Sequence, residues 1–314
     1  MTLDRSRHHR ERNGLKTRLL STAEPLDRAA VFRARILLVA ASLLWSVAGA
    51  VVKSPLLSSI PLEARGPILA CFRALFAGLV LLPFARNVRW HWGLVPAIAT
   101  FTLMNATYVT GMTRTSAAAA IFLQYTSTGW AALLSVLMLK ERFDRTTMLP
   151  LCGAMVGIYW IVVGDSEAGD LVGNMLALIS GFFYAGVVVS LRALRHQDST
   201  WLTAAIHLGA GVLILPWVLS GWLELSAAQW LTIAALGVLQ MGLPYLLFAK
   251  GVRVVGTTEA ALITVLEPIL NPVWTWLVWN VPVDSNLWIG GIFILGTLVA
   301  KYLLDAWLAR KVAA

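Results

Sequence analysis

The run Leu266-Glu267-Pro268-Ile269-Leu270-Asn271-Pro272 sets a carboxylate, an amide and two prolines inside an otherwise apolar stretch. A carboxylate among hydrocarbon is costly, and the residue types that persist there usually bind a cationic group or carry a proton. The bland alternative is a buried Glu that hydrogen-bonds a neighbouring helix and only fixes packing. Pro268 and Pro272 have no backbone N–H to donate, so carbonyls one turn earlier are left for a ligand or another partner. Asn271 follows Glu267 by four residues and shares its helix face. Its amide can hydrogen-bond a solute or restrain the chain around the prolines.

Other polar groups recur at similar depth. Gln124 and Tyr125 open a polar strip that continues through Thr126, Ser127 and Thr128. Such a strip lines a cavity or bonds a neighbouring helix. Asn105 and Tyr108 share a face at i, i+3, and Gln240, Pro244, Tyr245 and Lys250 form a comparable polar side further on. Trp45 with Ser46, and Tyr184, add aromatic surface that is either cavity wall or core. Arg73 lies well inside an apolar stretch, where it can snorkel or pair with a carboxylate such as Glu267. Lys53 ends an apolar stretch and is expected at the outer interface. His207 stands alone, more often a packing group than a proton relay. The set expected to contact substrate is thus Glu267, Asn271, Gln124, Tyr125, Asn105, Tyr108, Tyr245, Trp45 and Tyr184.

Several chemistries lack their residues. There is no GxxxxGK[ST] for ATP, no HExxH, CxxC or GxSxG, no arginine-rich voltage sensor and no potassium-filter motif. The two cysteines, Cys71 and Cys152, lie in apolar stretches without ligand spacing. No enzyme activity, cofactor or metal is expected.

These side chains need a particular setting. The 314-residue chain is 58% hydrophobic and 13% charged, with mean hydropathy +0.74. Soluble domains carry about 25% charged residues, so a polytopic membrane protein is the class that fits. Apolar stretches fall at about 34–53, 65–84, 94–113, 117–139, 147–164, 171–191, 202–220, 228–249, 258–279 and 287–307. The predicted fold is an all-α membrane protein of ten helices. Tryptophans such as Trp90, Trp92, Trp222, Trp279 and Trp307 sit near stretch ends, as interfacial belts do.

The net charge of +9 does not point to nucleic acid. Arg5, Arg7, Arg10, Arg12, Lys16, Arg18, Arg28, Arg33 and Arg35 form a basic leading segment. Placing it in the cytoplasm puts Arg86 and Arg89, Lys140, Arg142 and Arg145, Arg192 and Arg195, and Lys250 and Arg253 in inside loops. Lys301, Arg310 and Lys311 join them at the inside C-terminal end. Asp165, Glu167 and Asp170 then fall outside. The first 30 or so residues are polar, with no early apolar core, so the first helix is expected to be retained. Both termini are expected to be cytoplasmic.

The halves are alike. Gly111-Met112-Thr113-Arg114-Thr115-Ser116-Ala117-Ala118 opens the fourth stretch, and Gly251-Val252-Arg253-Val254-Val255-Gly256-Thr257-Thr258-Glu259-Ala260 opens the ninth. Five crossings per repeat is odd, so the second copy lies upside down relative to the first. Inverted repeats meeting at a midplane site are a transporter architecture.

Taken together, the chain resembles EamA-type members of the drug/metabolite transporter superfamily over about residues 34–307. The likeness rests on Leu44-Trp45-Ser46-Val47-Ala48-Gly49 with Lys53, Gln124-Tyr125-Thr126, Lys140-Glu141-Arg142, Gly173-Asn174-Met175-Leu176-Ala177-Leu178, and the Leu266–Trp274 motif. It implies a basic cytoplasmic tail at 1–33 and five-helix repeats at 34–164 and 171–307. It further implies an inner-membrane secondary carrier, often an exporter of amino acids or other small metabolites, with a cavity between the repeats. Two positions depart from the pattern. Thr128 stands where a proline follows the Gln-Tyr pair, which removes the expected cause of a kink. Asn280 stands where an acidic residue closes the ninth helix.

The expected function is alternating-access export of a small metabolite through the bilayer, with protons as the coupling ion. Oligomeric state is not read from the sequence. A passive facilitator would instead show no accumulation against a gradient. A membrane sensor or scaffold would depend on the basic tail rather than on the polar strips.

Overall fold

The computed structural model describes residues 28–139, 148–164, 171–194, 196–221, 223–255, 260 and 263–313. The basic residues from Arg5 to Arg18, the Lys140-Glu141-Arg142 turn with Arg145, and the acidic Asp165, Glu167 and Asp170 lie outside them. So do Arg195, Trp222, Gly256 to Glu259, and the side chains of Thr128, Arg192 and Arg253.

Among the described residues the chain is helical without strands, and helix occupies each of the ten expected stretches. α1 spans Arg28–Val52 and breaks at Val47. α2 is Leu62–Leu81, extended by the 3-10 turn Leu82–Phe84. α3 is Leu94–Arg114. α4 comprises Ala117–Tyr125 and Ser127–Leu139. α5 is Met148–Gly164, α6 is Leu171–Ala193 and α7 is Ser199–Ser220. α8 comprises Ala227–Ala235, the π-helical Leu236–Gly242 and Leu243–Val255. α9 is Leu266–Trp279 and α10 is Ser285–Ala313.

Among the described residues six helices, α1, α2, α6, α7, α8 and α10, are long and apolar enough to cross a membrane. The other four are shorter, interrupted or more polar. Leu79, Leu213, Trp217, Leu231, Leu277 and Ile292 are exposed on the outside of the bundle. In water that surface would aggregate; acyl chains cover it without cost. The interior is built from small residues such as Ala119, Ala120, Ala177, Ala204 and Ala210, all fully buried. Small residues bring helix backbones close where lipid offers no hydrophobic drive to associate.

Local signals set the helix ends. Ser116 and Asp198 accept hydrogen bonds from the amides of Ala119 and Trp201. Ser226 and Gln229 form a reciprocal capping box at the start of α8. Asn280 ends α9 in the left-handed region, φ 53°. Asn tolerates that conformation, so the departure from an acidic residue leaves a working cap.

Two expectations about kinks differ in detail. α4 breaks at Thr126 although Thr128 replaces the proline; Thr126 Oγ1 bonds the Leu123 carbonyl at 2.7 Å instead. α9 is continuous through Pro268 and Pro272, and the interruption comes earlier, at Val265.

Several of the main helix pairings are preserved when each helix n is exchanged with helix n+5. α3 packs on α6, and α8 on α1. α7 packs on α3, and α2 on α8. α4 packs on α6, and α9 on α1. The pairs α2–α7, α5–α10 and α4–α9 map onto themselves. Helices from both halves therefore meet along one central seam, with α1, α3, α4, α6, α8 and α9 around it.

Candidate functional site

Pro268 explains the position of Glu267. In a regular helix the amide of residue 268 would bond the carbonyl of residue 264. Proline has none, and the Thr264 carbonyl accepts from Tyr125 Oη instead, at 3.3 Å. The same hydroxyl lies 3.2 Å from Glu267 Oε2. Tyr125 comes from α4 and Glu267 from α9, so one phenol ties the two halves together at the interruption in each helix.

Among the described residues only one Glu267 oxygen is engaged. The hydroxyls of Tyr108, Tyr184 and Tyr245 have no hydrogen-bond partner among the described residues, yet Glu267 is in electrostatic range of all three. Glu267, Tyr125, Tyr184 and Tyr245 lie inside the bundle but keep part of their surface accessible. Trp45 lies beside them, edge-on to Tyr245 with ring centroids 5.3 Å apart.

The remaining predicted residues do other work. Asn105 is fully buried, accepting from Arg73 Nη2 at 2.9 Å and donating to the Ala70 carbonyl at 2.7 Å. Arg73 is thus held by an amide, and the conceivable Arg73–Glu267 ion pair is not formed. Gln124 is buried with Nε2 3.5 Å from Met104 Sδ. Asn271 is fully buried and neither polar atom of its amide has a partner. It sits against Gly49 of α1, where an added Cβ would collide with Asn271 Oδ1 and come within 2.8 Å of the Ala117 Cβ. Only glycine permits this approach of α1, α4 and α9.

That contact belongs to a seal at one end of the seam. Trp274 Nε1 donates to Ser46 Oγ at 2.8 Å and Trp279 Nε1 to the Ala50 carbonyl at 2.6 Å. Lys53 Nζ donates to the Thr115 carbonyl, so Lys53 stitches α1 to the start of α4 rather than facing outward. α9 packs on Ala117–Tyr125, the first half of α4. A groove of about 350 Å³ bounded by Val47, Ala50, Val51, Trp274 and Val278 lies apart from Glu267 and is almost wholly apolar. It offers no polar recognition.

Sequence reasoning underrated α8 and its surroundings. The π-helical turn Leu236–Gly242 sets Gly237 directly on the Arg73 backbone. π-turns within helices often mark functional positions. Gln240 in that turn donates to the Trp45 carbonyl at 3.3 Å and leaves Oε1 without a partner. His207 Nδ1 lies 2.7 Å from the Thr203 carbonyl, so it must carry the hydrogen, and Nε2 is left an unpartnered acceptor. Its ring packs between Phe101, at 4.4 Å, and Tyr245, at 5.1 Å. Pro244, which cannot bond the Gln240 carbonyl, was the available signal for this irregular turn.

Residues 33–163 and 171–301 each match the EamA-like transporter family. An uncharacterized transporter of Archaeoglobus fulgidus is 29% identical over 232 residues, 73% of this chain and 84% of the relative. The uncharacterized transporter YdfC of Bacillus subtilis is 25% identical over 249 residues, 75% and 81% of the two chains. A solved crystal structure superposes with TM-score 0.63 at 18% identity, over 90% of this chain and 98% of the other, a likeness of fold alone.

Proposed function

The chain belongs to the EamA-like transporter family, and we propose that it is a secondary carrier exporting a small organic metabolite by alternating access. The observation that carries this is the Glu267 carboxylate, one oxygen bonded to Tyr125 of the other repeat, with the hydroxyls of Tyr108, Tyr184 and Tyr245 in electrostatic range. It is a group for a proton or a solute cation, held between the two repeats. With the N-terminus cytoplasmic, the contacts of Gly49, Asn271, Trp274 and Lys53 are the outer gate of this scheme. The inverted repeats supply the complementary gate at the α4–α9 cytoplasmic ends.

A carboxylate offers two ways of coupling. When protonated, it donates to Tyr125 Oη and frees Tyr125 to bond Thr264; when ionised, it competes with Thr264 for the single phenolic hydrogen. Proton arrival and departure then change what holds the interruption in α9. No catalytic step is part of this scheme.

The test is transport in liposomes under an imposed pH gradient, with pooled metabolites and Glu267→Gln beside the wild type. Gradient-driven accumulation that Glu267→Gln abolishes is expected. Equal, gradient-independent leak in both proteins would replace the carrier by a facilitator.

A further inference from the structure

We propose that the π-helical turn Leu236–Gly242 is a register switch. It passes its extra residue to regular α-helix, which turns the rest of α8, Leu243–Val255, about its axis and exchanges the face that α8 shows to α1. The inference stands apart from the carrier reading above, and its test needs no solute.

Gly237 and Gly242 both pack on α2. A Cβ on Gly237 would meet Phe76 Cβ at 2.5 Å and the Arg73 carbonyl at 2.7 Å. One on Gly242 would overlap Val80 Cγ1 and lie 3.4 Å from the Ala77 carbonyl. Ala77 and Val80 follow Arg73 and Phe76 by one turn of α2, so the two glycines step along the same face of that helix. In an α-helix, residues five apart point about 140° away from each other, and only one of the pair could face α2. The turn aligns them because its bonds close over five residues, as the Leu243 amide does on the Val238 carbonyl. Their spacing therefore belongs to the π register. An α register would put Met241, four residues after Gly237, in the place of Gly242.

The π register is not fully satisfied. Gln240 gives Nε2 to the Trp45 carbonyl, but its Oε1 is buried without a partner among the described residues, which costs free energy. Pro244, without an N–H, closes the turn and continues neither register. A shift by one residue keeps the contact with Trp45 apolar. Tyr245 and Phe248, with ring centroids 5.3 and 5.6 Å from that of Trp45, give way to Pro244 and Leu247. Further along α8 the exchange is not neutral. A Cβ on Gly251 would meet Leu38 Cγ at 2.6 Å and the Ala34 carbonyl at 3.0 Å. Lys250 would take that place, so this end of α8 must part from α1. The switch trades the Trp45–Tyr245 contact for an opening between α1 and α8, at the end of α1 away from Gly49. The rival reading is a fixed turn whose only work is to seat two glycines on α2.

The test is disulfide cross-linking of the whole protein in liposomes, with Cys71 and Cys152 replaced by alanine. Leu38→Cys with Gly251→Cys reports the π register. Leu38→Cys with Lys250→Cys reports the α register, since Lys250 is exposed and turned about 100° from Gly251 in this structure. With the native turn the first pair should form readily and the second more slowly. Met241→Gly with Gly242→Ala moves the second glycine from five to four residues after Gly237, the α spacing. It should slow the first pair and speed the second, changing the ratio of their rates about tenfold or more. No product from the second pair with the native turn would overturn the switch and leave a fixed packing turn. So would an unchanged ratio in the folded variant. Should the double variant fail to fold, Gly242→Ala alone takes its place. Its Cβ meets Val80 only in the π register, so it should move the ratio in the same direction, and an unchanged ratio there overturns the switch equally.

Discussion

Gly49→Ala is the most direct perturbation of the gate. The new Cβ would overlap Asn271 Oδ1 and lie 2.8 Å from the Cβ of Ala117. The amide can swing aside, but Ala117 Cβ is fixed to the α4 backbone, so α1 and α4 must separate by several tenths of an ångström. Overpacking of this kind costs about 1–3 kcal/mol. The cost falls only on the conformer in which these helices touch, so the equilibrium should shift about 5- to 150-fold toward the conformer open at the Lys53 end. The assay is thiol labelling of Ser116→Cys by an impermeant maleimide, with Cys71 and Cys152 replaced. Ser116 caps the start of α4 beside the seal. Labelling should accelerate by at least fivefold when Gly49→Ala is added. Asn271→Ala in the same chain should recover part of the difference, because it removes one of the two overlaps and leaves the other. An unchanged labelling rate in a protein that folds normally would refute the idea that this contact is a gate. So would full recovery with Asn271→Ala, since that would mean the Ala117 overlap has no effect.

Two further substitutions address the interior. Tyr125→Phe leaves both Thr264 O and Glu267 Oε2 without their common donor, a loss of about 1–3 kcal/mol; gradient-driven flux should fall about tenfold or more, and wild-type flux with unaltered pH dependence would contradict the coupling scheme. His207→Phe replaces a buried ring with an unpartnered Nε2, packed between Phe101 and Tyr245, by a ring of similar size. It should leave the unfolding midpoint unchanged or raise it by a few degrees, whereas a large drop would show that the Thr203 hydrogen bond dominates.

Sequence pattern made the helices legible because each is a long apolar run with polar breaks, a signal of period and length that survives without tertiary information. The family relationship was readable from Trp45-Ser46, Gln124-Tyr125 and the Glu267-to-Pro272 run. What single residues do was less legible. Asn105 and Tyr108 share a helix face, yet one is consumed by Arg73 and the backbone while the other keeps a free hydroxyl. That difference depends on what α2 presents opposite them. Lys53 reads as an interfacial lysine until α4 is seen to begin beside it. Gly49 carries no mark in sequence that separates it from other helical glycines; its role comes from Asn271, more than 200 residues away.

The proline motif joins these scales. Pro268 is usually counted for the kink it makes, yet α9 continues through it. Its consequence is a missing amide and therefore a carbonyl, Thr264 O, that must be satisfied from elsewhere. The satisfying group is a phenol from the opposite repeat, and it is shared with the carboxylate that follows Thr264 by three residues. Both bonds are long, 3.3 and 3.2 Å, as a single hydrogen divided between two acceptors requires. A regular α9 would need no such partner, and Tyr125 would then respond to Glu267 alone. The defect makes the hydroxyl answer to the charge state of a side chain and to the position of a backbone at once. That is the minimum apparatus by which binding a proton or cation at one residue can bias the packing of two helices. It explains why the carboxylate, the proline and the tyrosine belong to one site although only two of them are neighbours in sequence.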